Sequence, residues 1–106
     1  MAKYLIQANY LSEGAKGLLK EGGSSRRAVV EKLIASQGGS MESFYYAFGE
    51  TDLYIIADVP DSVGVAAISL TVASTGTVTC KTTVLITPEE IDEAAKKSPS
   101  YRLPGQ

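Results

Sequence analysis

The order of patterned segments predicts an α+β fold, with helices lying on one face of a four-stranded antiparallel sheet. Three observations predict it. Segments with strand-like patterns start near Lys3, Met41, Leu53 and Thr77. Two stretches with helical spacing or composition separate them, giving the order β-α-β-β-α-β. The middle pair, Ser43 to Val59, reads as a hairpin turning at Gly49-Glu50-Thr51-Asp52, with apolar or aromatic side chains on both faces. A sheet that is apolar on both sides needs two covers. At 106 residues the chain is a single domain, 1–106, large enough to bury a core without disulfide staples.

The elements follow in order. In Lys3–Tyr10, Tyr4, Ile6, Ala8 and Tyr10 alternate with Lys3, Leu5, Gln7 and Asn9, as in a strand. A short helix is expected from Ser12, as N-cap, to Glu21, weakened by Gly14 and Gly17 and stopped by Gly22-Gly23. Ser24-Ser25 restart it, Val29, Val30, Leu33 and Ile34 share one side, and Gly38-Gly39 end it. Two strands, 41–48 and 53–59, form the hairpin. Pro60-Asp61 closes it, and Asp61 or Ser62 can cap the next helix. Residues 62–75 mix β-formers with alanines; the length and the alanines favour a helix stopped at Gly76. Thr77–Ile86 alternates as a strand. Thr87-Pro88-Glu89-Glu90 carries a helix start with a capping box, and Lys96-Lys97 suit its end. Residues 98–106, with Pro99 and Pro104, form an irregular tail.

This order is the ferredoxin-like split βαβ arrangement. The first and third strands are expected to be central and to run parallel to each other. Right-handed crossovers put both helices on one face. The other face stays bare, with Leu5, Phe44 or Tyr45, part of 53–59 and Leu85 as its apolar candidates. Exposed apolar patches of that kind mark interfaces. A homodimer packed sheet to sheet, or a higher homo-oligomer, is therefore expected.

Composition narrows the chemistry. With no histidine, the chain cannot use imidazole as acid, base, nucleophile partner or metal ligand. One cysteine, Cys80, can neither close an internal disulfide nor build a cysteine-rich zinc site. No metal site and no cofactor is expected, and a lone thiol suits a reducing, cytoplasmic setting. A net charge of −2 gives nucleic acid no electrostatic footprint. No apolar run reaches the ~18 residues of a membrane span, and no signal-peptide pattern opens the chain.

The motifs themselves resemble the GYD-domain family of small bacterial and archaeal proteins. The likeness rests on Lys3-Tyr4, on Leu18-Leu19-Lys20-Glu21-Gly22-Gly23-Ser24-Ser25-Arg26-Arg27, and on Gly38-Gly39. It continues through Met41-Glu42-Ser43-Phe44-Tyr45-Tyr46-Ala47-Phe48-Gly49-Glu50-Thr51-Asp52 and Lys81-Thr82-Thr83-Val84-Leu85-Ile86-Thr87-Pro88-Glu89-Glu90. The resemblance implies a subunit of the dimeric α+β-barrel type and little about activity. The family's Gly-x-Tyr-Asp pattern keeps Gly49 and Asp52 here, but Thr51 stands where the tyrosine belongs.

Three groups of residues bear on function. Ser24, Ser25, Arg26 and Arg27 combine helix-start N–H groups, hydroxyls and guanidiniums, and suit an anion. Two arginines in a first turn oppose the helix dipole, so a bound anion, a nearby acid or solvent must compensate. Asn9, Tyr45, Tyr46, Asp52 and Tyr54 are candidates to line a pocket, with Tyr10 a further phenol; core or interface roles suit such aromatics equally. Gly49 and Asp52 also suit a plain turn, with Gly49 supplying an unusual backbone angle. Cys80 reads as a small core residue, and Lys81 as a charge awaiting a carboxylate or a pocket. No residue is assigned a catalytic role. The expected function is a non-catalytic or small-molecule-binding oligomeric domain. A histidine-independent enzyme of monooxygenase or isomerase type, using Tyr, Asn9, Asp52 or Arg26, and a regulatory ligand sensor are the alternatives.

Overall fold

The computed structural model describes residues 1–106. Its elements are β1 (Ala2–Tyr10), α1 (Ser12–Glu21), α2 (Gly23–Ser36), β2 (Ser40–Tyr46), β3 (Leu53–Val59), α3 (Ser62–Ser74), β4 (Val78–Leu85) and α4 (Pro88–Lys97). The sheet order is β2-β3-β1-β4, with every neighbouring pair antiparallel. The architecture is α+β and compatible with a ferredoxin-like fold.

One expectation about the sheet needs correction. β1 and β3 are central, but they run antiparallel, with Ala2 opposite Val59 and Ala8 opposite Leu53. The reason is connectivity. The helical crossover after β1 returns the chain in its original direction, so β2 is the strand parallel to β1. The hairpin then reverses it, and β3 slots between them pointing the other way.

Alternation along β1 and β3 divides the sheet into two faces. Tyr4, Ile6 and Ala8 from β1, and Leu53, Ile55, Ala57 and Val59 from β3, are buried under the helices. Ile34 of α2 and Val65 and Ile68 of α3 meet them from above. Among these, Ile34, Ala57 and Val59 are fully sealed. Of the 106 residues only 11 are buried, which is a thin core for a chain of this length.

Local chemistry explains the helix boundaries. α1 and α2 are separate pieces because Gly22, at φ 90°, ends one and begins the other. Ser12 is the first helical residue rather than the cap; extended Leu11 takes the cap position and offers no side-chain acceptor. Gly14 weakens α1 intrinsically, yet it is needed there. A Cβ on Gly14 would sit 2.2 Å from the Thr77 carbonyl oxygen, so only glycine lets α1 lie this close to the start of β4. Asp61 caps α3 by accepting the Gly64 N–H at 2.8 Å.

The hairpin also departs from expectation. β2 stops at Tyr46, not at residue 48. Phe48 takes the left-handed conformation at φ 55°, and Gly49 does not have a positive φ. A bulge between Met41 and Ser43 lets one residue slip, so Phe44 and Tyr46 face the helices and Tyr45 faces away.

α4 begins as its sequence dictates. Thr87 accepts from the Glu90 N–H at 3.1 Å, and the Glu90 carboxylate accepts from the Thr87 N–H at 2.9 Å. Every residue from Pro88 to Gln106 is exposed. The molecule spans 58 × 32 × 23 Å with a radius of gyration of 17.0 Å, against about 13 Å for a compact chain of this length. α4 and the tail therefore form an arm that stands away from the domain.

Candidate functional site

The two helices above the sheet are splayed, and between them lies a cleft. Its floor is the centre of the sheet: Ile6 and Ala8 of β1, Leu53 and Ile55 of β3, and Cys80 of β4. Val30 and Leu33 of α2 form one wall, and Ile68 and Val72 of α3 the other. The enclosed space is about 70 Å³. Of its 15 lining residues 13 are hydrophobic; the exceptions are Arg26 and Ser69. Ser69 is already engaged, its hydroxyl 3.2 Å from that of Thr82, which ties α3 to β4.

Polar groups gather at one end. Tyr10 closes β1 there, and its phenol lies beside Tyr46 and Arg26. Burial, reinforced by the neighbouring Tyr46, pushes the Tyr10 phenol up to about 12. It is thus a proton donor at any physiological pH. Tyr46 donates to the Gly23 carbonyl at 3.2 Å, and its ring meets Phe44 edge-on at 5.3 Å and stacks on Phe48 at 5.9 Å. These contacts hold the start of α2 against the end of β2. Burial also raises the Cys80 thiol, so it stays protonated and behaves as a small apolar floor residue rather than a nucleophile.

The anion-like motif does not converge on one point. Ser25 donates to the Glu21 carboxylate at 3.1 Å, and Arg26 faces the same carboxylate at 3.6 Å. A side chain from the end of α1 thus supplies the negative charge that Arg26 at the start of α2 requires. Ser24 is exposed. Arg27 points elsewhere, lining one shallow groove with Ser24, Phe44 and Tyr46 and another beside Glu31, Glu42 and Tyr45. Of the four, only Arg26 reaches the cleft.

The expected pocket residues are divided between the two faces. Tyr46 is near the cleft mouth. Tyr45 and Tyr54 are cross-strand partners on the opposite face and are exposed. Asn9 and Asp52 lash the hairpin turn to the end of β1. The Asn9 side-chain oxygen accepts from the Asp52 N–H at 2.8 Å, and the Asp52 carboxylate accepts from the Tyr10 N–H at 2.9 Å. Thr51, at the position of the family tyrosine, accepts from the Gln7 amide at 3.3 Å on the uncovered face. Lys81 lies on that face opposite Gln7 and pairs with no carboxylate. No three cysteine or carboxylate side chains come together in a way that could hold a metal ion. The cleft's apolar walls went unnoticed in the sequence because they look like ordinary core positions. Only the gap between α2 and α3 distinguishes them.

A family model for the GYD domain matches residues 4–95. The chain belongs to the GYD-domain family. That span takes in all of the sheet except Ala2 and Lys3 of β1, α1 to α3 and most of α4, and leaves out the tail. Neither the curated proteins nor the solved structures yield a match to this GYD-domain chain. No helix is long and apolar enough to cross a membrane.

Proposed function

We propose that this GYD-domain chain is a non-catalytic small-molecule-binding domain that works as a homodimer. The observation that carries the binding reading is the apolar cleft over the centre of the sheet, open at an end where Arg26 and Tyr10 meet. Ligand sites combine an apolar concavity with a few convergent polar groups, and this cleft has both. Of the groups an enzyme reading would use, Arg26 and Tyr10 meet there, but no carboxylate or amide joins them. Asn9 and Asp52 are spent on the turn, and Cys80 is held as a thiol.

Support for the dimer comes from the uncovered face. Leu5 and Ile56 sit side by side at its centre, with Tyr54, Tyr45 and Leu85 around them. Lys3, bridging Glu42 and Asp58, supplies a polar rim. An apolar centre inside a polar rim is the anatomy of an interface. The α4 arm adds to this, since Ile91 at 53% exposure and Tyr101 at 73% have nothing to cover them in one chain. A cytoplasmic setting fits the free thiol of Cys80.

A thermal-shift screen against small apolar metabolites tests the binding reading. Compounds that fit the cleft raise the melting temperature of the wild type and leave Val72→Phe, which fills it, unchanged. A screen without a single such compound overturns the reading. Light scattering at micromolar concentration tests the dimer: the expected mass is twice the 11.2 kDa of one chain, and a stable monomer refutes it.

A further inference from the structure

The geometry points to a short-chain aliphatic carboxylate as the ligand of the cleft, its tail between α2 and α3 and its carboxylate held by Arg26 and Tyr10. This rests on the cleft-binding reading above and adds the chemical class.

Four features of the cleft select that class. First, the walls offer almost nothing polar to a ligand body, since Ser69 is engaged with Thr82. A hydroxylated or charged body would lose its water without replacement. Second, the only charged residue lining the cleft is Arg26, and it sits at the open end. Within the cleft that guanidinium favours an anionic head over a cationic one, while Glu13 and Glu21 line the groove beyond it. Third, the guanidinium is not used up. Its contact with Glu21 is 3.6 Å, longer than a hydrogen bond, while the fork geometry suits a carboxylate. Fourth, Tyr10 stands between Tyr46 and Arg26 as a protonated phenol that would turn from Tyr46 to donate to a second carboxylate oxygen, whereas the Tyr46 hydroxyl already donates to Gly23.

Size sets the tail length. An apolar cavity of about 150 Å³ accommodates benzene, so ~70 Å³ suits a tail of about three or four carbons. Butanoate is the simplest probe. A ligand with so few atoms binds weakly, so the readout must detect weak complexes.

Glu21 is the acid paired with Arg26, with Glu13 lining the same groove, and it makes the proposal sharper. Its carboxylate competes with the incoming one for the same guanidinium. Removing its charge by Glu21→Gln is therefore expected to tighten butanoate binding, a direction that mere damage to the fold does not produce.

The test is an NMR titration of the ¹⁵N-labelled full chain with butanoate, 1-butanol and n-butylammonium at constant ionic strength. Butanoate is expected to shift amides of α2, α3 and β1 around the cleft at lower concentration than 1-butanol, and butylammonium to shift none of them. Arg26→Gln should weaken butanoate by about 10-fold and leave 1-butanol unchanged. Tyr10→Phe should weaken butanoate in the same sense by a smaller factor, and Glu21→Gln should strengthen it. If butanoate and 1-butanol bind alike, and neither Arg26→Gln nor Glu21→Gln changes that, the carboxylate class is wrong although the cleft binds small molecules. If none of the three probes shifts the cleft amides, this proposal fails; the metabolite screen then decides the broader reading by itself.

Discussion

Ile55 and Ile56 are adjacent residues of the same type, and they lead different lives. Ile55 lies under the helices at 4% exposure. Ile56 is half-buried on the face that no helix covers, beside Leu5 and opposite Ser43. The covered face draws its stability from packing within the chain. The open face carries apolar residues that contribute little until something covers them, because burial in proportion to area is what makes them stabilising. One sheet thus has two unlike faces, a packed core above and an uncovered apolar surface below. The same contrast separates the domain from its α4 arm, an ordered helix that buries no residue.

The largest expected effect breaks or sustains that comparison directly. Ile55→Ala should cost about 3 kcal/mol in chemical denaturation, independent of protein concentration. Ile56→Lys should leave a folded chain but shift its mass to that of one protomer. Equal loss of folding at both positions would erase the distinction between the faces.

The two helix caps give a smaller and cleaner comparison. Asp61→Ala removes the bond to Gly64 at the head of α3, which packs on the core, and should lower global stability by about 1 kcal/mol. Thr87→Ala disrupts the capping box of α4, which buries nothing in one chain. It should lower far-ultraviolet helicity while leaving the main unfolding transition in place. A matching fall in the main transition would mean that α4 packs more firmly than its exposure implies.

The smallest effects come from titration of exposed groups. Hydrogen bonds from the Thr87 backbone and side chain hold the Glu90 carboxyl below its ordinary value of 4.5. Its contribution to α4 is therefore present above that value and lost as pH falls through the lowered one. Lys3 is shifted the other way. Hydrogen bonding to Glu42, and then to Asp58, raises it above 10.5 against the opposing cost of burial. Its contribution to the open face is present below 10.5 and fades as pH rises past the raised value. Residue-specific NMR titrations should show both directions, and high salt should diminish both.

Much of the fold was legible in the residues. Alternation in β1 and β4, the Gly22-Gly23 break, the Asp61 cap and the Thr87 box all appear where their chemistry calls for them. The bulge at Met41/Ser43 was not legible, because the hairpin is apolar on both faces and alternation cannot register a one-residue slip there. Nor was the left-handed Phe48, since an adjacent glycine is the residue that ordinarily takes such a conformation.

The site divided along similar lines. Arg26 and Tyr46 drew notice as residue types with chemistry, and both stand near the cleft mouth. Tyr45 and Tyr54 drew the same notice and lie on the other side of the sheet. Parity along a strand separates Tyr45 from Tyr46, and only the actual register and bulge decide which parity faces the helices.

The sequence by itself determined the order of elements, their caps and stops, and the exclusion of imidazole chemistry, because these depend on neighbours in the chain and on the inventory of side chains. Tertiary structure alone decided that β1 and β3 oppose each other, that Glu21 answers Arg26, and that α2 and α3 stand apart over an apolar floor. Those outcomes depend on residues distant in sequence meeting in space, and no local pattern encodes the gap between two helices.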